Sequence, residues 1–215
     1  PATINSFGVL INYTGIACPN LVGQVDRDNL SLTETACGGI FMFARKVYEQ
    51  VGGFDEDLFL YHEDHDLSWR IRLGGWKLVV TPNSVCNHHY NFNKGVQKFY
   101  WSEKNRLHIL LKNLEYKTLI LIFPALIVIE LAQNIHALTH GWFRLKLQTY
   151  FEILVQFPQI ARKRRQIKFS RKNNDKEISR LYHGEVFISG MKNPLIDYIL
   201  SPLLNIYWKL IRGWI

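Results

Sequence analysis

The chain has 215 residues, 47% of them hydrophobic and 20% charged, a balance that excludes a disordered chain and permits a buried core. Its formal charge of +8 is unevenly placed, since residues 1–110 hold 10 Lys+Arg against 11 Asp+Glu and residues 111–215 hold 16 against 7. The basic half is also rich in Leu, Ile, Phe, Trp and Tyr, so its pattern points to an anionic membrane surface and away from nucleic acid.

The chain opens on Pro1 with neither a basic nor an apolar leader region, so no signal peptide is expected and the sequence reads as a piece lacking its own N-terminus. Cys18, Cys37 and Cys86 are odd in number and form no CxxC pair. They predict neither a disulfide framework nor a zinc knuckle, and they fit a reducing compartment. Residues 1–35 alternate short apolar pieces with Gly, Asn, Pro and Asp, which predicts short strands and loops.

From Gly38-Gly39 the signals sharpen. Ile40 to Phe43 reads as a strand, and Val47 and Val51, four residues apart, predict a helix that Gly52-Gly53 stops. A second helix is expected from Asp64 to Leu73, with Leu67, Ile71 and Leu73 inward, Asp66 placed to pair with Arg70, and Gly74-Gly75 at its end. Trp76–Val80 then reads as a strand, Pro82-Asn83-Ser84 as a turn and Val85–His89 as a short strand entering a loop. Lys98–Leu114 reads as a helix that closes the layer. Alternating strands and helices predict an α/β domain over residues 1–113.

Residues 114–215 read as a membrane-associated helical region. Between Thr118 and Phe143 the only formal charge is Glu130. That stretch is apolar enough to enter a bilayer, although Pro124 and the polar residues Gln133, Asn134 and His136 leave both a tilted span and a re-entrant hairpin open near 118–140. The cluster Arg162-Lys163-Arg164-Arg165 favours the cytoplasmic face. Pro194–Ile211 reads as an amphipathic surface helix.

The run His62-Glu63-Asp64-His65-Asp66 places five ionisable side chains between apolar flanks. Carboxylates at the rim of a core need an ionic partner, a metal or a proton to move. Asp64 is the best placed to accept a proton from an attacking hydroxyl. Asp66 is expected to pair with Arg70, and Glu63 to cap the helix or orient an acceptor. The plainer reading is that all three acids sit at a helix N-terminus because the helix dipole favours them there. Trp69, Tyr100 and Trp101 read as core aromatics, and Ser102 to Arg106 as a solvated helix face.

Gly38-Gly39-Ile40-Phe41-Met42-Phe43, Val51-Gly52-Gly53-Phe54-Asp55-Glu56-Asp57 and Tyr61-His62-Glu63-Asp64-His65-Asp66-Leu67 with Arg70 occur in one order. Together they resemble the C-terminal half of a family 2 glycosyltransferase of the GT-A fold, of the rhamnosyltransferase-like kind. The resemblance covers roughly residues 1–115 and is strongest over 37–90. It implies a partial GT-A, Rossmann-like domain and an inverting transfer from a nucleotide-sugar donor to a lipid-linked or glycan acceptor, at the cytoplasmic face of the cell membrane. On this resemblance Asp64 is the base, Gly38 and Gly39 line the donor sugar, and Glu63, Asp66, Trp69 and Arg70 belong to the substrate site. It also implies that Trp69, Tyr100 and Trp101 could face the sugar, and that Ser102 to Arg106 match a polar stretch where a cation approaches the diphosphate. His88, with His89 as its competitor, would help hold a divalent metal, Mn²⁺ or Mg²⁺, completed by an Asp-x-Asp motif outside this chain. Asp55-Glu56-Asp57 reads as an acidic loop near the acceptor and not as that motif. The rival readings are a metal-dependent phosphohydrolase using His62, Asp64, His65 and Asp66, and a non-catalytic membrane-tethered module.

Overall fold

The computed structural model describes residues 3–25, 30–87, 95–186 and 193–215. Gly and Asn punctuation near the N-terminus gives short strands, as expected. Strand β1 (Val9–Asn12) turns back into β2 (Ala17–Pro19) with Ile11 opposite Ala17. The turn needs Gly15, whose φ of 85° lies in the left-handed region and where an added Cβ would come within 3.0 Å of the Arg106 side chain. The other edge of β1 pairs in parallel with β5 (Tyr182–His183), from the far end of the chain. A second, two-stranded sheet joins β3 (Thr33–Glu34) to β4 (Val79–Val80).

Helix α1 (Arg45–Val51) ends where Gly52 turns left-handed at φ 81° and its N–H reaches the Tyr48 carbonyl. Helix α2 (Glu63–Leu73) buries Leu67, Ile71 and Leu73 and stops at Gly74-Gly75. Gln50 links the two helices: its amide donates to Gly74 O at 3.1 Å, and its Oε1 accepts from Trp76 Nε1 at 3.0 Å. Three strand expectations need correction. Ile40–Phe43 is not a strand, because its backbone has no ladder partner among the described residues, although the side chains still alternate: Phe41 and Phe43 pack on Val47, Leu67 and Ile71 while Ile40 and Met42 face out. Likewise Trp76–Lys77–Leu78 and Val85–Asn87 stay outside the sheets.

The rest is helical: α3 (Gln97–Asn113), α4 (Tyr116–Thr139), α5 (Phe143–Ser170), α6 (Asp175–Ser179) and α7 (Ser201–Ile211), the last preceded by a π-helical turn over Ile196–Leu200. Pro124 lies inside α4, which runs as one helix of 24 residues, long and apolar enough by length and composition to cross a membrane. The boundary expected at 113/114 falls between α3 and α4, and one core runs across it, joining Tyr13, Trp69, Leu73 and Ile109 to Ile122, Leu204 and Trp208.

The polar run on α3 departs from both expectations for it. Glu103, Lys104, Asn105 and Arg106 are all buried; α4 and α5 cover Glu103 and Arg106, while Asn105 turns to the chain just before α2. Glu103 accepts from Arg106, from Lys146 on α5 at 2.6 Å and from Gln133 on α4 at 2.9 Å. Arg106 and Lys146 also pair with Glu130 of α4. Burial alone would push Glu103 up, but Arg106 and Lys146 outweigh it and hold the carboxyl at about 2.

Candidate active site

The entry into α2 is the most constrained backbone near the acidic cluster. Tyr61 and His62, neither of them glycine, sit at φ 66° and 64°, which costs roughly 1–2 kcal/mol at each residue. Helix α3 holds them there. The Asn105 amide donates to Leu60 O at 2.9 Å and Tyr61 O at 2.7 Å, and His62 Nε2 lies 3.3 Å from Ser102 Oγ. His62 Nδ1 and His65 Nδ1 approach to 3.2 Å, one carrying the shared proton, and the His65 ring stacks on Trp69 with centroids 5.0 Å apart. Strain of this kind, over-determined by its surroundings, is concentrated at functional sites.

The strained entry directs Asp64 away from the core. Its Oδ1 accepts the His65 N–H at 2.7 Å, and its Oδ2 faces Gly39, where an added Cβ would stand 3.5 Å away. The Gly38 N–H meets Ser68 Oγ at 3.4 Å, which lays the Gly38-Gly39 loop along α2. Among the described residues no Lys or Arg pairs with Asp64. Burial therefore raises its carboxyl above the usual carboxylate range, and the backbone N–H groups of His65 and of Asp64 itself oppose that only in part. Cys37 lies close by. Burial first, and then the charge of Asp64, push its thiol well up, with half-buried Glu63 adding to the effect, so the sulfur stays protonated and is no nucleophile.

The other predicted residues go elsewhere. Asp66 is fully buried between Arg70 at 2.8 Å, Lys112 at 2.7 Å and Asn113 at 2.8 Å. Burial would raise its carboxyl, but Lys112 and Arg70 hold it low. Arg70 also donates to Val51 O and Gly53 O, clamping the end of α1. Trp69 is 2% exposed, packed between His65 and Tyr182. Thus Gly38, Gly39, Glu63 and Asp64 gather at one rim, while Asp66, Trp69 and Arg70 hold it from inside. Asn105 and Ser102 support this rim without standing out in the sequence. Their spacing of three residues on one helix face is the only sequence signal for it.

His88 and His89 lie outside the described residues. Among the described residues no group of three or more His, Cys, Asp or Glu is arranged to hold a metal ion. Asp55 is neutralised by Lys112 and Lys163, and Asp57 by Lys163 at 2.6 Å with Gln159 at 2.7 Å. The ligands that a phosphohydrolase would need also diverge, since Asp66 faces cations and His65 faces Trp69. The described carboxylates alone therefore do not build a metal site.

The match to a family model falls on this same region. Residues 29–93 match the family model described as the N-terminal domain of galactosyltransferase. A stretch of 58 residues is 40% identical to the N-acetylglucosaminyl-diphospho-decaprenol L-rhamnosyltransferase of Mycobacterium tuberculosis, in two strains, covering 27% of this chain and 19% of that protein. A stretch of 72 residues is 32% identical to polypeptide N-acetylgalactosaminyltransferase 3 of Mus musculus, covering 30% of this chain and 11% of that protein. No solved structure matches. The chain thus spans about a fifth or less of the length of these curated relatives, and what the matches support is a glycosyltransferase-like domain around the α1–α2 rim.

Proposed function

We propose that this domain belongs to an inverting, family 2, rhamnosyltransferase-like enzyme of the GT-A fold, with Asp64 as its base. Asp64 takes the proton of an acceptor hydroxyl. The freed oxygen bonds to the anomeric carbon of a nucleotide sugar, and the bond from that carbon to the nucleoside diphosphate breaks. The carrying observation is a half-buried carboxylate raised by burial and unpaired with any cation among the described residues, facing a glycine loop. A carboxylate neutralised by lysine, as Asp55 and Asp66 are, makes a poor base. Gly38 and Gly39 leave the backbone open to a sugar, since a Cβ on Gly38 would meet nothing nearer than 3.8 Å. His88 and an Asp-x-Asp motif outside this chain would hold Mn²⁺ or Mg²⁺, which would neutralise the leaving diphosphate. The decaprenol in the M. tuberculosis relative's name supports a lipid-linked acceptor, and the basic, apolar second half supports work at the cytoplasmic membrane face.

The test is Asp64→Asn in the protein that carries this chain, assayed for sugar transfer and for nucleotide-sugar binding. Transfer is expected to fall by about 10²–10⁴-fold with binding nearly unchanged. Wild-type transfer by the variant would remove Asp64 as the base.

A further inference from the structure

Helix α4 carries apolar residues on its inner and outer sides, yet the protein covers only the inner one. Ile122, Ala125, Ile129 and Ala137 turn inward. Ile120, Phe123, Ile127, Leu131, Ile135 and Leu138 recur every three or four residues along the opposite side and are each 45–72% exposed. A helix that faced water would be polar there.

The helices on either side repeat the pattern. Tyr207 of α7 donates to Leu121 O at 2.7 Å, and Asn134 of α4 donates to Tyr150 of α5 at 2.8 Å, so α4 lies between them. On α5, Leu147, Phe151, Leu154 and Val155 are exposed. Along α7 and the turns at its two ends, Leu195, Ile199, Leu203, Ile206, Leu210 and Trp214 keep the same spacing and are 53–70% exposed. The outward side of α5 then changes from apolar to cationic at Arg162, Arg165 and Lys168, all exposed. That end lies beside the start of α4, where Arg164 stacks over the Tyr116 ring at 3.9 Å. An apolar surface with a cationic margin is complementary to hydrocarbon bordered by anionic headgroups.

A span across the bilayer does not suit this packing. Glu130, in the second half of α4, pairs with Arg106 and Lys146 and accepts from Tyr150 at 2.6 Å. Behind it lies α3, with Lys104, Arg106 and Lys112. Inserting α4 across the membrane would draw these charges into hydrocarbon, whereas laying it in the interface leaves them on the water side. We infer that α4, α5 and α7 form one docking face that enters a single leaflet of an anionic bilayer, with α4 in the membrane plane and the Arg162–Lys168 margin on the headgroups. The inference rests on the membrane part of the proposed function and not on its sugar chemistry.

The full chain is floated with vesicles of phosphatidylcholine, with and without phosphatidylglycerol. It is expected to float with the anionic vesicles, less with the neutral ones, and to be partly released by salt. The double variant Leu131→Glu/Leu203→Glu changes two exposed side chains and should keep the wild-type Tm while losing about tenfold or more of the partition. In a Cys86→Ser background, where the remaining Cys18 and Cys37 are buried, cysteines introduced one at a time by Lys117→Cys and Thr139→Cys should both react with an impermeant maleimide added outside the vesicles. A chain that stays in solution with both vesicle types, a Glu variant that floats as well as wild type, or a stable dimer that the Glu variant disperses would overturn the docking face. Protection of one of the two cysteines would overturn the in-plane placement. Flotation involves neither donor nor acceptor, so its failure leaves Asp64 untouched, and loss of transfer by Asp64→Asn does not bear on flotation.

Discussion

Replacing Asp64 by asparagine separates the cost of the carboxylate to the fold from its use in chemistry. Burial lifts its folded-state pKa above the unfolded value. Its favourable contribution is therefore complete below the unfolded pKa and is lost as pH rises through the folded one, so at neutral pH the charge destabilises the fold. Asparagine can still accept the His65 N–H. Asp64→Asn is expected to melt higher than wild type at pH 7, the gap closing as both approach pH 3. Equal Tm values across that range would mean the carboxylate is solvated. Transfer should have the opposite dependence, rising with pH as Asp64 ionises.

At the scale of elements, the glycine stops after α1 and α2, the inward residues of α2 and the Asp66–Arg70 pair were legible in the sequence, because each depends on residues within one turn of helix. Three things were not. Ile40–Phe43 has the alternation of a strand, but alternation does not reveal whether a neighbouring strand exists. Ser102 to Arg106 is polar enough to read as solvent-facing, and only Lys146 and Glu130, 40 and 24 residues further along from Arg106, make it a buried network. The strained Tyr61-His62 entry was illegible for the same reason, since its supports lie on α3. The network carries its own prediction. Lys146→Met leaves Glu103 and Glu130 sharing Arg106 in a buried site and is expected to lower unfolding stability by about 3–5 kcal/mol in urea titration. Adding Glu103→Gln should restore part of that loss, and a neutral Lys146→Met would show that water reaches the network.

Across the whole molecule, acid should act in two stages. Burial holds His62 and His108 at about 4 and His65 well below 6.5; at His108 the neighbouring Lys112 adds to burial, with Asp55 and Asp66 opposing. A folded-state pKa below the unfolded one gives stability that is present above pH 6.5 and lost as pH falls towards 4, on the order of 3 kcal/mol at His108 alone. Glu103 follows, its contribution lost between its ordinary pKa of 4.5 and about 2. Tm measured against pH should therefore begin to fall near pH 6.5. In His108→Leu the first stage should shrink while the second remains, and an unchanged profile would mean that His108 does not titrate with the fold.

The pairing of β1 with β5 has a consequence for how the chain is made. Ile11 lies beside Tyr182, and the Asn12 amide donates to the carbonyls of His183, Gly184 and Glu185 at 2.9–3.2 Å. During synthesis the N-terminal hairpin therefore leaves the ribosome with one edge of β1 unpaired. Cys37 bridges that edge at Val9 early, but Ile11 and Asn12 stay open until about 170 further residues have emerged, a long wait for an open strand edge and a closure set by sequence separation. A chain stopped short of Tyr182 keeps that edge exposed, together with the Tyr13 side that Trp208 covers in the finished fold, so interrupted synthesis yields an aggregation-prone intermediate rather than a smaller version of the same domain.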